Sequence, residues 1–220
     1  MALSVAFNLL ETELDILANE LRAFAAENSP LNAPDRFSLS DECLLEGLLS
    51  RVWQAWCGFA RFCVIGSCEG TTTSAGVLVQ ALPDARSEEH VSSAVIRANS
   101  RSNPPYWVST NATLRYEPTW GDVDVLNRVL TRLRPNNHLQ LLAAFSSISS
   151  SAKVVQTIRN GVAHHNHQTL KELLNFQSAY IVFRIAHPTH AMFWVEPSTS
   201  DFLITSAIEE LKVAAQAAIA

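Results

Sequence analysis

Leu3, Phe7, Leu10, Leu14, Leu17, Leu21 and Phe24 recur in alternating steps of four and three. That spacing lines one seam of an α-helix packed lengthwise against another helix. The N-terminus is therefore expected to be one long helix, its seam serving intramolecular packing rather than a free zipper, because three heptads barely sustain one. Asn28 and Pro30 end it. A second helix, capped by Ser40 or Asp41, should run towards Gly66 through Leu44, Leu48, Val52, Trp56 and Phe59. Residues 70–87 mix threonines, Pro83 and one short apolar run at 77–79, which fits a loop. Residues 88–101 predict a helix, Asn103-Pro104-Pro105 breaks the chain, and residues 106–118 have the β-branched and aromatic content of a short extended segment.

After Gly121 helical spacing returns at Val123, Leu126, Val129, Leu130 and Leu133, with Asp122 and Asp124 in the first turn and Arg132 and Arg134 in the last. Pro135 stops this helix. A short apolar helix at 139–145, a serine-rich hinge or cap at 146–151 and a motif-bearing run at 152–166 follow. Residues 170–185 read as a helix or as a helix that ends in a strand. Pro188 and Pro197 bound a connector holding Phe193, Trp194 and Val195, and Ser200 or Asp201 starts a final helix with Ile204, Ile208 and Leu211 inward. The pattern has no internal repeats. It predicts an all-α protein, a helical bundle of six or seven helices in a single domain over 1–220, with a less regular insertion around 70–118.

Composition narrows the functional classes. With 220 residues, 48% of them hydrophobic, the chain can bury a substantial core. A net charge of -5 argues against a general nucleic-acid coat protein, whose affinity comes from many cations on many phosphates. Any polyanion contact must be local. Glu11, Glu13, Asp15 and Glu20 without a basic leader do not resemble a targeting peptide, and no apolar run approaches the ~20 residues of a membrane helix. A soluble cytoplasmic protein without membrane partners is expected. Cys43, Cys57, Cys63 and Cys68 form no C-x-x-C pair and are expected as buried, reduced thiols.

The candidate chemistry sits in Arg159-Asn160-Gly161-Val162-Ala163-His164. Arginine is always protonated and forks onto phosphate oxygens, and histidine, with a usual pKa of about 6.5, exchanges protons near neutrality. A cation, a carboxamide and an imidazole together suit phosphodiester chemistry. The background is unusual too. No Asp or Glu occurs between positions 125 and 171, whereas Arg128, Arg132, Arg134, Lys153, Arg159, Lys171, His138, His164, His165 and His167 do. This acid-free run reads as a face that meets an anion. Arg132 and His138 mimic the motif spacing, but Pro135 lies between them.

An Arg, a polar residue and a His after four intervening positions, in a mostly helical chain, resembles the catalytic motif of the HEPN superfamily of nucleases. The resemblance covers residues 121–185 and carries over to Arg159, Asn160 and His164 only. It implies metal-independent RNA cleavage by a homodimer whose active site forms between protomers, as in toxins and antiphage effectors. An antitoxin or sensor protein is then a further partner class.

On one regular helix Arg159 and His164 would project about 140° apart, whereas Asn160 and His164 share a face. Two arrangements bring the groups together. Either a helix starts at Asn160, freeing Arg159 and offering the amides of Gly161 and Val162 to a phosphate, or a second protomer completes the site. A two-fold dimer would supply two imidazoles, one as base and one as acid, for attack by a ribose 2'-hydroxyl. Arg159, Asn160 and His164 are the catalytic candidates; His165, His167 and Lys153 are candidate substrate contacts. No cofactor is expected, and the histidines lack the Cys or carboxylate neighbours of a metal site. Other readings remain open. The histidines could simply favour a helix C-terminus, Arg159 could pair with Glu172, and Tyr106 and Trp107 could stack a base or merely anchor a loop. The whole could be a catalytically inactive HEPN-like module that binds nucleotide, RNA or a protein partner.

Overall fold

The computed structural model describes residues 2–31, 37–101, 103–108, 114–164 and 166–220. The chain is all-α. Among the described residues there are eight α-helices: α1 (Leu3–Asn28), α2 (Leu39–Glu69), α3 (Glu88–Ser100), α4 (Val123–Leu133), α5 (His138–Ser147), α6 (Ser149–Ala163), α7 (His167–Leu174) and α8 (Leu203–Ile219). The number exceeds the six or seven expected, and the breaks after Gly121 fall close to the expected ones. A break of one residue, Ile148, separates α5 from α6, and Asn166 caps a new start for α7, accepting from the Gln168 and Thr169 amides. No described helix is long and apolar enough to cross a membrane. Tertiary contacts group the chain into two compact units, one of Met1–Glu11, Trp56–Ser149 and Val213–Ala220, the other of Thr12–Ala55 and Ser150–Lys212.

The seam of α1 is buried at Leu3, Leu10, Leu14, Leu17, Leu21 and Phe24, as its spacing predicts, while Phe7 is half-buried. In the first unit Trp56 is fully buried, with the Phe145 ring edge-on at 5.7 Å and Phe59 tilted at 5.9 Å. Helix α4 packs against α3 and α5 and buries Val123, Leu126, Val129, Leu130 and Leu133. Asp122 caps it, accepting from the amides of Asp124 and Val125.

Two segments in this unit differ from their expected form. The 70–87 segment is not a simple loop: β1 (Thr71–Thr72) pairs antiparallel with β2 (Leu78–Val79). Gly70 permits this, since its φ of +94° belongs to the left-handed region and a Cβ there would stand 3.1 Å from the Ala81 nitrogen. The Ser74 amide donates to the Ile219 carbonyl at 2.7 Å, a long-range anchor that local sequence cannot announce. Within 106–118, Leu114–Tyr116 is a 3-10 turn rather than extended chain, while residues 109–113 lie outside the described residues. Tyr106 is buried and Trp107 meets the His90 ring edge-on at 5.5 Å, which favours the loop-anchor reading over base stacking.

In the second unit α2 begins one turn earlier than expected. Ser38 is the cap: its hydroxyl accepts from the Asp41 amide, and the Asp41 carboxylate accepts from the Ser38 amide and hydroxyl, a reciprocal capping box. Phe24, Phe37, Phe193 and Phe202 form an aromatic cluster with ring separations of 5.2 to 6.0 Å. The 170–185 run is helical only to Leu174; after a 3-10 turn at Gln177–Ala179, Ile181 bridges to Val195 and Val195 to Phe202. The cysteines are all free thiols, but only Cys63 and Cys68 are buried. Burial pushes the Cys68 thiol up to about 12, so it stays protonated. Cys43 is exposed, contrary to expectation, because it falls on the outer side of α2.

Glu117 holds the first unit's polar centre. Its carboxylate accepts from Arg61 Nε at 2.6 Å and Nη2 at 2.8 Å, from the Ser92 hydroxyl at 2.5 Å and from Trp120 Nε1 at 2.8 Å. Burial pushes this carboxyl up, but the donors from Arg61, Ser92 and Trp120 outweigh it and hold it below the usual glutamate range. A depressed folded value contributes stability at neutral pH that is lost as pH falls through that value. Glu117→Gln is therefore expected to destabilise by about 2 kcal/mol at pH 7, with the deficit shrinking towards pH 3 as the wild-type carboxyl protonates. Chemical denaturation at both pH values checks this; an undiminished deficit at pH 3 contradicts it.

Candidate functional site

Helix α6 inherits its course from Ala152, Val154, Val155 and Ile158, which are buried at helical spacing and carry the backbone through Arg159 and Asn160 without interruption. Asn160 is not a helix start. Its carbonyl accepts from the His164 amide at 2.9 Å, and the helix began three turns earlier at Ser149. The arrangement in which a new helix frees Arg159 is thereby overturned. The amides of Gly161 and Val162 lie in mid-helix, not at an open N-terminus.

At about 100° per residue, Lys153, Asn160 and His164 fall within about 40° of one another, while Arg159 stands about 140° from His164. The buried side chains occupy the opposite arc, so Arg159 and His164 flank the solvent-facing strip from its two edges, with Asn160 between them. His164 and Lys153 are exposed; Arg159 and Asn160 are half-buried. The guanidinium leans inward, Arg159 Nη1 donating to Asn160 Oδ1 at 3.3 Å. Among the described residues Arg159 makes no ion pair. Glu172, its alternative partner, instead accepts from Gln168 Nε2 at 3.3 Å. Arg22, Arg51 and Arg61 are by contrast each paired with carboxylates.

The backbone beneath the imidazole is held although the ring is exposed. The His164 carbonyl accepts from Asn166 Nδ2 at 2.7 Å and from the Thr169 hydroxyl at 2.8 Å, so the cap of α7 also fixes the end of the motif. His167 is exposed at the start of α7, and His165 lies outside the described residues. Lys153 Nζ approaches Gln156 Oε1 only at 3.5 Å, leaving its charge to solvent.

The acid-free run is divided between the two units. Arg128, Arg132, Arg134 and His138 belong to the first unit, and their polar atoms are engaged there. Arg132 donates to the Ala98 carbonyl and Arg128 to Asn99 Oδ1, closing the C-terminal turn of α3, where cations suit the helix dipole. Arg134 donates to the Thr131 carbonyl and His138 Nδ1 to the Pro135 carbonyl. The later part carries Lys153 and His164 exposed and Arg159 half-buried at the edge of the same helix.

A second group of residues near the motif was not singled out from the sequence. The 3-10 turn Pro188–Phe193 is flanked by His187, and His190 lies within it. The Thr189 amide donates to His187 Nδ1 at 3.4 Å, and the amides of Ala186 and His187 donate to His190 Nδ1 at 3.3 and 3.4 Å. Each Nδ1 is thus an acceptor, so a neutral ring carries its proton on Nε2. Those Nε2 atoms face Glu46 Oε1 at 3.4 Å and Glu42 Oε1 at 3.7 Å, one helical turn apart on α2. With the protons there, the rings offer no lone pair to a metal between them. The sequence signal was an H-x-x-H in the connector and an E-x-x-x-E on a helix, neither of which reveals the other without tertiary structure. The turn reaches the motif at Gly161, where a Cβ would lie 3.2 Å from Pro188 Cβ.

No family model matches the chain, and no curated protein or solved structure shows significant similarity to it.

Because Arg159 makes no ion pair among the described residues and donates only weakly to the Asn160 carboxamide, Arg159→Ala is expected to leave stability within about 0.5 kcal/mol of wild type. A thermal or urea midpoint corresponding to a loss above ~1.5 kcal/mol would show instead that the guanidinium is structural.

Proposed function

We propose that this protein is a metal-independent endoribonuclease of the HEPN type, built as a HEPN-like helical bundle and acting as a two-fold dimer with one composite site. Toxin or antiphage effector is the biological class that the resemblance implies. The observation that supports it most is an arginine without a carboxylate in an acidic protein, leaning onto Asn160 on the same exposed strip as His164. A guanidinium with no ion pair among the described residues, at the end of a helix that also carries an accessible imidazole, suits a phosphate that comes and goes.

One copy contributes one motif imidazole, and transesterification uses two. In the dimer, a neutral His164 accepts the proton of the ribose 2'-hydroxyl as its oxygen forms a bond to phosphorus. The protonated His164 of the partner subunit gives its proton to the 5'-oxygen as the P–O5' bond breaks. Arg159 stabilises the charge that builds on the phosphorane, and Asn160 orients Arg159 or the ribose. The products are a 2',3'-cyclic phosphate and a 5'-hydroxyl. DNA lacks the nucleophile and is bound without being cut. Lys153, two to three turns up the same face, meets a flanking phosphate.

The test is cleavage of total RNA in EDTA with analysis of the product ends. Wild type is expected to yield cyclic-phosphate ends, and His164→Ala to lose at least about 10²-fold in rate. Lys153→Gln is expected to retain cleavage while the salt dependence of RNA binding falls by about one charge. RNA bound but left intact by wild type favours a catalytically inactive RNA-binding module. Cleavage that EDTA abolishes contradicts the mechanism outright.

A further inference from the structure

We infer that Glu46 and His187 are positioning residues for the motif helix, setting through Pro188 where Asn160 and His164 stand. The catalytic consequence rests on the ribonuclease reading; the geometry does not. Gly161 lies between those two motif residues and is buried. Glycine within a helix costs about 1 kcal/mol relative to alanine, and here it allows a close approach. A Cβ at this position would lie 3.2 Å from Pro188 Cβ and 3.5 Å from Pro188 Cγ. The proline ring therefore rests on the bare backbone of α6. Because that ring is fused to its own main chain, it cannot yield without moving the turn that carries it.

The turn is held from its other side. His187 donates from Nε2 towards Glu46 while its Nδ1 takes the Thr189 hydroxyl at 2.8 Å, so the ring bridges α2 and the first residues of the turn. His190 is nearly fully buried, with the Phe37 ring edge-on at 5.0 Å, and its Nε2 stands 3.7 Å from Glu42 Oε1, beyond hydrogen-bond reach. The Glu46 carboxylate on α2 thus backs the turn whose proline lies against the single motif position that lacks a side chain. Of the two pairs, Glu46–His187 is the adjustable one, since the Glu46 side chain is 40% exposed and its loss spares the core.

Removing the Glu46 carboxylate frees the turn to drift and lets Pro188 and α6 shift together. Catalysis is sensitive to such shifts, a displacement of about 1 Å costing up to ~10²-fold. The experiment compares wild type, Glu46→Ala, Glu46→Gln and Gly161→Ala in the full chain. It reads the His164 ring resonances in the absence of RNA, the thermal midpoint, and kcat and KM on single-stranded RNA. Glu46→Ala is expected to move the His164 signals and lower kcat about tenfold with KM and midpoint nearly unchanged. Glu46→Gln, which keeps an acceptor oxygen opposite Nε2, restores both. Gly161→Ala, which pushes the same contact from the α6 side, moves the same signals.

His164 signals unchanged in Glu46→Ala and Gly161→Ala overturn the inference. So does Glu46→Gln behaving like Glu46→Ala, or a kcat that stays at the wild-type value while the signals move. If wild type cleaves no RNA, the ribonuclease reading fails on its own and the resonances still decide whether Glu46 positions the motif.

Discussion

Because α6 continues unbroken from Ser149 to Ala163, Arg159 and His164 stand at opposite edges of its exposed strip rather than side by side. Every functional statement follows from that constraint. A phosphate lying over Asn160 can meet the guanidinium from one side and the imidazole from the other. One strip still offers a single proton-transfer group among the motif residues, whereas in-line attack and departure of the two oxygens call for one on each side of phosphorus. In the proposed reaction the need for a second copy comes from the number of proton transfers, since each copy carries one motif imidazole.

The charge distribution explains how an acidic protein can offer such a strip. Several of its carboxylates are engaged elsewhere: Glu117 and Glu88 on Arg61, Asp201 on Arg22, Glu13 on Arg51, and Asp15 with Glu209 on Lys212. Arg128 and Arg132 complete the end of α3. Helix α6 itself carries no acid. Lys153 and Arg159 are thus the charged residues of this helix, although the whole chain is negative.

Helices whose burial repeats at three and four residues were legible in the sequence, and α1, α4 and α8 follow their apolar positions closely. Asp122 was legible as the start of α4 because a cap is a local hydrogen bond. Ser38 was missed because capping propensity alone does not separate it from Ser40; the reciprocal bond with Asp41 decides. The β1–β2 hairpin was missed because its turn is anchored to the Ile219 carbonyl, far along the chain. At the motif, the residue types were legible but the helix phase was not: Asn160 has the chemistry of a cap, yet the buried run before it keeps the backbone helical. The glycine there is explained only by Pro188, whose approach is a tertiary fact.

Two protomers that share one site, as proposed, would each supply an imidazole to a single cleavage event, and mixed dimers test this. Wild-type and His164→Ala chains are unfolded together at varied ratios, refolded at constant total concentration, and assayed on RNA in EDTA. If both imidazoles serve one cleavage event, activity falls as the square of the wild-type fraction. A linear fall would mean that each copy cleaves by itself, and would contradict the shared site.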